Sequence, residues 1–179
     1  MTPPPNDLTR SCLRRISLWA AAILVPWTIA GAVPALDVTD GLALRLDATD
    51  RAALDLGGAG SVTRWRDMSP HGRHAMPEQP AGQPLYVPGQ TNTSPAVRFD
   101  GRDDALSFPA LQLKNFTTFV VFTPTSARSV LLGDAANRDW LRVEPGQVRA
   151  KWDNTTAVAE GGKQVVGTVQ LLGVVRQEK

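Results

Sequence analysis

The sequence predicts an all-β protein built as an antiparallel sandwich or barrel. Three observations lead to this prediction. Short runs of alternating apolar and polar residues recur at a spacing of roughly 8–12 residues. Turn signals containing Gly, Pro or Asp separate these runs. Beyond the first 35 residues, only one short segment has a helical pattern, so the predicted sheets cannot be covered by helices.

Charge argues against a nucleic-acid-binding protein. The chain has 179 residues, enough for one domain with a real core, and a formal net charge of +2. The basic excess is local, because Arg10, Arg14 and Arg15 face only one acid, Asp7, in the first 35 residues. Removing those residues leaves 16 basic and 16 acidic side chains from the original 19 and 17. The predicted domain is therefore neutral and has no basic footprint for nucleic acid.

Residues 1–35 predict an export signal. A basic start precedes the apolar run Leu18 to Ile29, and small residues follow it, so signal peptidase is expected to cut after Ala35. The alternative is an uncleaved single-pass membrane anchor, since residues 16–35 are long enough to span a bilayer. Both alternatives place residues 36–179 outside the cytoplasm: secreted, in the periplasm or on the cell surface. The one cysteine, Cys12, lies in this segment, so the domain has no disulfide or thiolate metal site.

The clearest local signal is a predicted hairpin over Pro95 to Phe108. Val97 and Phe99 alternate with polar neighbours, Asp100-Gly101 interrupts them, and Leu106 and Phe108 resume the alternation. An Asp-Gly pair between alternating segments is a strong hairpin signal. We therefore expect Phe99 and Leu106 to point into the sandwich.

The other predicted elements follow from the same patterns. Upstream of the hairpin we expect strands over Gly41–Asp47, Ser61–Asp67 and Leu85–Val87, a short helix over Ala48–Leu56 capped by Asp47 or Thr49, and a loop over Met68–Pro84. Downstream, β-branched and aromatic residues predict a central strand over Phe116–Thr123. Further strands are expected over Val130–Leu132, Trp140–Val143, Val148–Trp152 and Val165–Val175, with a turn at Pro145-Gly146.

Four pieces of the chain, taken in order, resemble the LamG-like jelly-roll domains of the concanavalin A-like lectin/glucanase superfamily, of the type found in bacterial secreted proteins. They are LRLDA from Leu44, WRDMSPHGRHA from Trp65, PLYV from Pro84 followed by PAVRFDG from Pro95, and the strand Phe116 to Pro124. The resemblance implies a jelly-roll β-sandwich over residues 36–179. The loop departs from the family pattern at Pro70 and Arg73-His74. The family's later Asn-Gly hairpin is missing after Val175, so we expect an incomplete domain.

Metal binding has one candidate site. Asp100, Asp103 and Asp104 could supply carboxylate oxygens to calcium. The competing interpretation, which we favour, is that these acids stabilise a turn, as Asp67 and Ser69 are expected to do further upstream. His71 and His74 lie in a Pro/Gly loop without a third ligand, which favours a surface loop over a metal site.

The candidate ligand-binding residues are Tyr86, Trp140 and Trp152, because exposed aromatic rings can stack on the apolar C–H faces of sugars. Burial of these rings in the core is the more frequent outcome. An enzyme is not expected, since the glutamates are isolated and no catalytic motif is present. The resemblance implies a non-catalytic exported module that binds a glycan or an extracellular protein. The alternatives are an adhesion domain without a sugar site and a divergent glycoside hydrolase.

Overall fold

The computed structural model describes residues 38–91, 94–134, 140–152 and 159–177. This part of the chain is all-β, with antiparallel strands and no helix of seven residues or more. The strands are β1 Leu54–Leu56, β2 Val62–Trp65, β3 Met76–Pro77, β4 Leu85–Thr91, β5 Ser94–Arg98, β6 Leu106–Ser107, β7 Phe116–Phe122, β8 Ser129–Gly133, β9 Trp140–Glu144, β10 Gln147–Lys151, β11 Ala159–Gly161 and β12 Gln170–Arg176.

The predicted export signal lies outside the described residues. Within the described ranges, no helix is long and apolar enough to cross a membrane. The only helical pieces there are two 3-10 turns, Arg51–Ala53 and Gly58–Gly60.

The largest sheet contains four strands in the order β11-β10-β9-β8. β9 and β10 form a tight hairpin through Pro145-Gly146, where Gly146 has a φ of +78° that suits glycine. Burial alternates strictly along both strands, with Leu141 and Val143 buried on β9 and Val148 and Ala150 buried on β10. The period-2 pattern therefore gives this sheet one inner face and one outer face, as predicted.

The main core lies between the inner face of the four-stranded sheet and the pair β7–β12. Leu141, Val148 and Ala150 form its buried centre. The residues packed against that centre are Val120, Leu131, Leu132, Trp152, Leu172 and Val174. Because β7 and β12 contribute Val120, Leu172 and Val174, two antiparallel layers enclose the core as in a sandwich.

A second apolar cluster lies under the N-terminal strands. Val62 on β2 is fully buried, and Ala53, Leu54 and Ala75 are almost fully buried. The pairs β1–β2, β3–β6 and β4–β5 belong to this part of the chain. Val62 is thus a core residue, as its position in an alternating strand predicted.

The helix expected over Ala48–Leu56 is wrong. Only Arg51–Ala53 form a 3-10 turn, and Leu54–Leu56 continue as β1. The side chain of Asp50, and not that of Asp47 or Thr49, accepts from a backbone N–H of this turn, that of Ala52. Pairing of β1 with β2 buries Leu54, and this tertiary gain outweighs the local helical pattern.

The strand expected over Gly41–Asp47 is also wrong. Residues 42–47 belong to no helix or sheet in the described structure. Their backbone instead bonds to the loop at Asp67, where the N–H of Arg45 donates to the carboxylate of Asp67 and the N–H of Met68 donates to the carbonyl of Arg45. Contacts with a loop therefore replace a ladder of strand hydrogen bonds.

The hairpin expected over Pro95 to Phe108 does not form. Asp100-Gly101 is a turn, with Gly101 at φ +76°, but the flanking strands pair elsewhere. β5 pairs with the preceding strand β4, and β6 pairs with β3. Phe99 is exposed, contrary to expectation, whereas Leu106 is half-buried. The turn pattern identified a reversal of the chain but not the strands that it would bring together.

β7 occupies the residues predicted for it, but it is not central. Among the described strands its only partner is β12, in a seven-residue antiparallel register from Phe116–Arg176 to Phe122–Gln170. The predicted final strand begins only at Gln170. The preceding residues turn instead, because Gly167 adopts a φ of +77° and donates its N–H to the carbonyl of Pro124.

Candidate functional site

The three predicted aromatic ligand residues lie in three different environments. Trp140 is on β9, Trp152 follows β10 directly, and Tyr86 is on β4 in another sheet. All three rings are half-buried. The fold therefore does not gather them into one site, and each is considered by its own contacts.

Trp140 lies on the outer face of the four-stranded sheet. It alternates with the buried Leu141, and the guanidinium of Arg142 lies 4.3 Å from the centroid of its ring. That distance is within the range of a cation–π contact. The guanidinium of Arg142 therefore lies over one side of the Trp140 ring, and the residue as a whole is half-buried.

Two neighbouring strands complete the surroundings of Trp140. Lys151 on β10 lies directly opposite it in the register, and cross-strand partners share one face of a sheet. On the other side its partner is Gly133 on β8, which has no side chain to cover the ring. We call Trp140, Arg142 and Lys151 the Trp140 face. It combines an apolar ring with two cationic side chains that can only donate hydrogen bonds.

An ion-pair network lies beside the Trp140 face. The guanidinium of Arg149 on β10 contacts Glu144 on β9 at 3.1 Å and Glu160 on β11 at 2.9 Å. The hydrogen bond to Glu144 is the main cause that raises the pKa of Arg149 above its ordinary value, and the charge of Glu160 adds to it. Both glutamates thus contact the same arginine.

Trp152 is used in packing. It lies against the core formed by Leu141, Val148 and Ala150, and its ring meets that of Phe116 edge-on, with centroids 5.3 Å apart at 64°. This geometry is the favourable T-shaped arrangement of two aromatic rings. The structure therefore gives Trp152 an interior role, and we leave it out of the candidate site.

Tyr86 is partly covered by a cation. The guanidinium of Arg51 lies 5.6 Å from the centroid of the Tyr86 ring. Tyr86 belongs to the pair β4–β5, which is separate from the four-stranded sheet. It remains a predicted ligand residue, but nothing around it adds a second feature of a sugar site.

The predicted calcium ligands do lie together. One carboxylate oxygen from each of Asp100, Asp103 and Asp104 lies within 4.8 Å of the others. The same groups also stabilise the turn. Asp100 Oδ1 accepts from the N–H of Arg102 at 2.8 Å, and Asp104 Oδ2 accepts from the N–H of Asp100 at 2.7 Å. The bond from Arg102 is the main cause that lowers the pKa of Asp100.

Hydrogen bonds within the turn account for two of its three acids, Asp100 and Asp104. Asp100 Oδ1 is also approached by the N–H groups of Asp103 and Asp104, both at 3.4 Å. Asp100 and Asp103 are exposed, so their charges need no partner other than water. Capping of the turn, the interpretation favoured from the sequence, explains every contact of these carboxylates that the structure gives.

Asp67 is the most extensively bonded carboxylate of the described residues. Its Oδ1 accepts from the N–H groups of Arg45 and Ser69, and its Oδ2 accepts from the hydroxyl of Ser69 and the N–H of Arg73, all at 2.6–2.9 Å. Burial raises the pKa of Asp67, but these hydrogen bonds outweigh burial and the net pKa is lowered. The turn predicted for Asp67 and Ser69 is confirmed, and it also anchors the segment at Arg45.

His74 takes part in the same loop. Its Nδ1 accepts a hydrogen bond from the backbone N–H of Asp67 at 3.1 Å. A nitrogen that accepts this bond has no proton to donate, so the ring is held as a structural acceptor. The loop assignment of the two histidines is consistent with this contact, although His74 is half-buried and not at the surface.

A surface cavity of about 240 Å³ lies beside β12. Its walls are formed by Phe122, Val148, Gly162, Lys163, Gln170, Leu171 and Leu172. The amide of Gln170 already donates to the carbonyl of Val165 at 2.7 Å. The cavity is smaller than the roughly 300–1,000 Å³ of typical ligand pockets, so we do not treat it as the site.

Comparison with known proteins adds no family assignment: no family model, no curated protein and no solved structure gives a significant match to this chain. The candidate site is therefore defined by geometry alone. Sequence analysis selected Trp140 but missed Arg142 and Lys151. The signal that could have found them is period-2 spacing from Trp140 along β9, and pairing across the Pro145-Gly146 turn, which fixes the register with β10.

Proposed function

We propose that this chain is a non-catalytic, exported binding module of the LamG-like, concanavalin A-like jelly-roll type, and that it recognises glycans through the Trp140 face. One observation carries the proposal. A half-buried tryptophan is held on an outer sheet face by a guanidinium at 4.3 Å, with a lysine opposite it and a glycine on its other side.

The chemistry of this face suits a sugar. The C–H faces of a sugar ring are apolar and stack on an aromatic ring, which gains from the contact through burial of apolar area. The guanidinium of Arg142 lies over the Trp140 ring, and Lys151, directly opposite Trp140 in the register, carries N–H donors for the hydroxyl oxygens of a stacked sugar. An open sheet face also leaves room for the neighbouring units of an oligosaccharide.

The contacts of the glutamates favour a binding role over catalysis. A glycosidase needs two carboxyl groups at a defined separation across the scissile bond. Glu144 and Glu160 instead both contact the guanidinium of Arg149. Both carboxyl groups are thus used in ion pairs with one arginine.

The proposed fold and the proposed export rest on separate observations. Two packed antiparallel layers are compatible with a jelly roll, and the four segments quoted above are similar to LamG-like domains. Export is supported by the basic and apolar pattern of residues 1–35. N-terminal sequencing of the protein recovered from outside the cytoplasm tests it, with Leu36 expected as the first residue.

The test of the ligand is a glycan screen with the full chain, followed by titration of the best glycan. Trp140→Ala should weaken binding about tenfold or more, because it removes the stacking surface. Phe99→Ala is the matched control, since Phe99 is an exposed aromatic residue outside the four-stranded sheet. Trp140→Phe should retain part of the affinity.

Three outcomes would contradict the proposal. Equal loss in the Trp140→Ala and Phe99→Ala variants would remove the Trp140 face as the site. No glycan binding together with a defined protein partner would favour the adhesion domain. Hydrolysis of a polysaccharide that a Glu144→Gln variant abolishes would favour the divergent glycosidase.

A further inference from the structure

The pair β7–β12 has an apolar face that the described part of the chain leaves uncovered. Along both strands, alternate side chains point away from the core. Of these, Phe119, Val121, Leu171 and Val175 are exposed to 71%, 69%, 70% and 65%. The register places Leu171 opposite Val121 and Val175 opposite Thr117. We call this surface, with Thr117 and Gly173 included, the outer β7–β12 face.

Phe119 covers Gly173 on this face. Gly173 lies opposite Phe119 in the register, and a Cβ atom at Gly173 would lie 3.3 Å from Cε1 of Phe119. The phenyl ring therefore extends across β12 into the space that a larger residue at position 173 would occupy. Apolar sheet faces pack on one another at a separation of about 10 Å.

The face has no charge. Its six residues are four apolar side chains, one threonine and one glycine. Because it has no charged group, a copy of the same face could be placed against it without like charges meeting. It also has no basic side chain with which to contact an anionic membrane surface, where amphipathic elements usually display Lys or Arg.

The residue pattern of β7 is typical of a strand whose two faces are both covered. Phe116, Val120 and Phe122 point to the core side, whereas Phe119 and Val121 point outward, so neither face of the strand is polar. A strand that is apolar on both faces is typical of a sheet covered on both sides. Within the described ranges only the core side is covered.

The exposed area is sufficient for a small symmetric interface. With accessible areas of about 150–200 Å² for each side chain, the four apolar residues present roughly 500 Å² per copy. Two copies would bury about 1,000 Å², the lower limit for a specific interface. A self-complementary patch of this kind suits a twofold axis.

We propose that the outer β7–β12 face binds a second copy of this chain, face to face, so that two sandwiches pack back to back as a twofold symmetric dimer. This inference does not depend on the proposed glycan site. It concerns a different sheet and requires no ligand.

Sedimentation of the full chain over a range of concentrations tests the proposal, with mild detergent present to keep the apolar residues 16–35 in solution. Val121→Asp places a charge in the centre of the face. Val130→Asp is the matched control, since Val130 is 63% exposed on β8, outside the face. We expect wild type and Val130→Asp to dimerise and Val121→Asp to have a dissociation constant raised at least a hundredfold.

A further variant protects the test against a folding defect. Thr117→Asp replaces a side chain that is already polar and exposed, and circular dichroism reports whether each variant is folded. We expect Thr117→Asp to be folded and monomeric. A wild-type chain that stays monomeric, or that is monomeric and binds vesicles, would overturn the proposal. Equal dimerisation of Val121→Asp and Val130→Asp would do the same.

Discussion

Replacing Asp67 with asparagine tests how far one buried carboxylate stabilises the N-terminal part of the domain. Asparagine keeps the shape of the side chain and one oxygen, which can still accept from the N–H groups of Arg45 and Ser69. The second oxygen becomes an amide nitrogen. The hydroxyl of Ser69 can rotate to accept from it, but the N–H of Arg73 cannot and loses its acceptor.

The expected cost follows from these contacts. A buried donor without an acceptor costs about 1–3 kcal/mol, and hydrogen bonds to a charged group are worth about 1.5–3 kcal/mol against about 1 kcal/mol for neutral ones. We therefore expect Asp67→Asn to lower the free energy of unfolding by about 2–4 kcal/mol. Equilibrium urea unfolding followed by tryptophan fluorescence measures this change.

The pH dependence has a definite sign. Because hydrogen bonding lowers the pKa of Asp67 in the folded state, its ionised form stabilises the fold above the ordinary pKa of an aspartate. That contribution is lost as the pH falls through the lowered pKa, below about pH 4. The stability difference between wild type and Asp67→Asn should therefore be constant near neutral pH and shrink under acid conditions.

Asp100→Asn is the matched control for this prediction. Asp100 makes the same kind of turn bond, to the N–H of Arg102 at 2.8 Å, but it is exposed. Water can replace its lost bonds, so a much smaller effect is expected. Equal destabilisation by the two variants, or a difference that persists unchanged in acid, would refute the argument that burial makes Asp67 important.

Three further predictions concern core packing and the turn from Asp100 to Asp104. Gly82→Ala should destabilise the domain, because the added Cβ would clash with the backbone carbonyl oxygen of Asp103, whereas Gly58→Ala meets nothing within 4 Å and should have little effect in the same unfolding assay. Leu141→Ala should lower the free energy of unfolding by about 2–5 kcal/mol, because Leu141 is only 1% exposed; a loss below about 1 kcal/mol would contradict its place in the core. Calcium should leave the melting temperature unchanged relative to a chelator, since Asp100 and Asp104 accept backbone N–H groups within their own turn; a rise that Asp103→Asn removes would show a calcium site instead.

The sequence predicted strands well where one face is buried and the other is polar. β9, β10 and their turn were correct because Leu141, Val143, Val148 and Ala150 alternate with charged residues. Alternation does not determine which strands pair. The reversal at Asp100-Gly101 was correctly predicted, but β5 pairs with β4, the strand directly before it in the chain, and not with the strand that follows the turn.

For the candidate ligand residues too, the sequence predicted the strand but not which face of it each side chain occupies. Trp140 and Trp152 are both tryptophans at strand ends, and composition alone cannot distinguish them. The register does, because Trp140 alternates with the buried Leu141 and faces outward, while Trp152 follows the buried row of β10 inward. The bonds of Asp67 to Arg45 were not predictable either, since 22 residues separate the two in the chain.

The two proposed surfaces have a consequence when they are considered together. The Trp140 face lies on the outside of the four-stranded sheet, and the outer β7–β12 face lies on the outside of the opposite layer, with the core between them. A dimer formed through the second surface therefore leaves both copies of the first exposed, pointing in opposite directions. Two sites on one particle would bind a dense polysaccharide surface with avidity far above that of a single site.

Val121→Asp should then weaken binding to immobilised polysaccharide while the affinity for a short soluble oligosaccharide, which occupies one site, stays at the wild-type value. If Val121→Asp weakened binding to the oligosaccharide as well as to the polysaccharide, the substitution would affect the glycan site itself. If it weakened neither, binding to the polysaccharide surface would not use two sites.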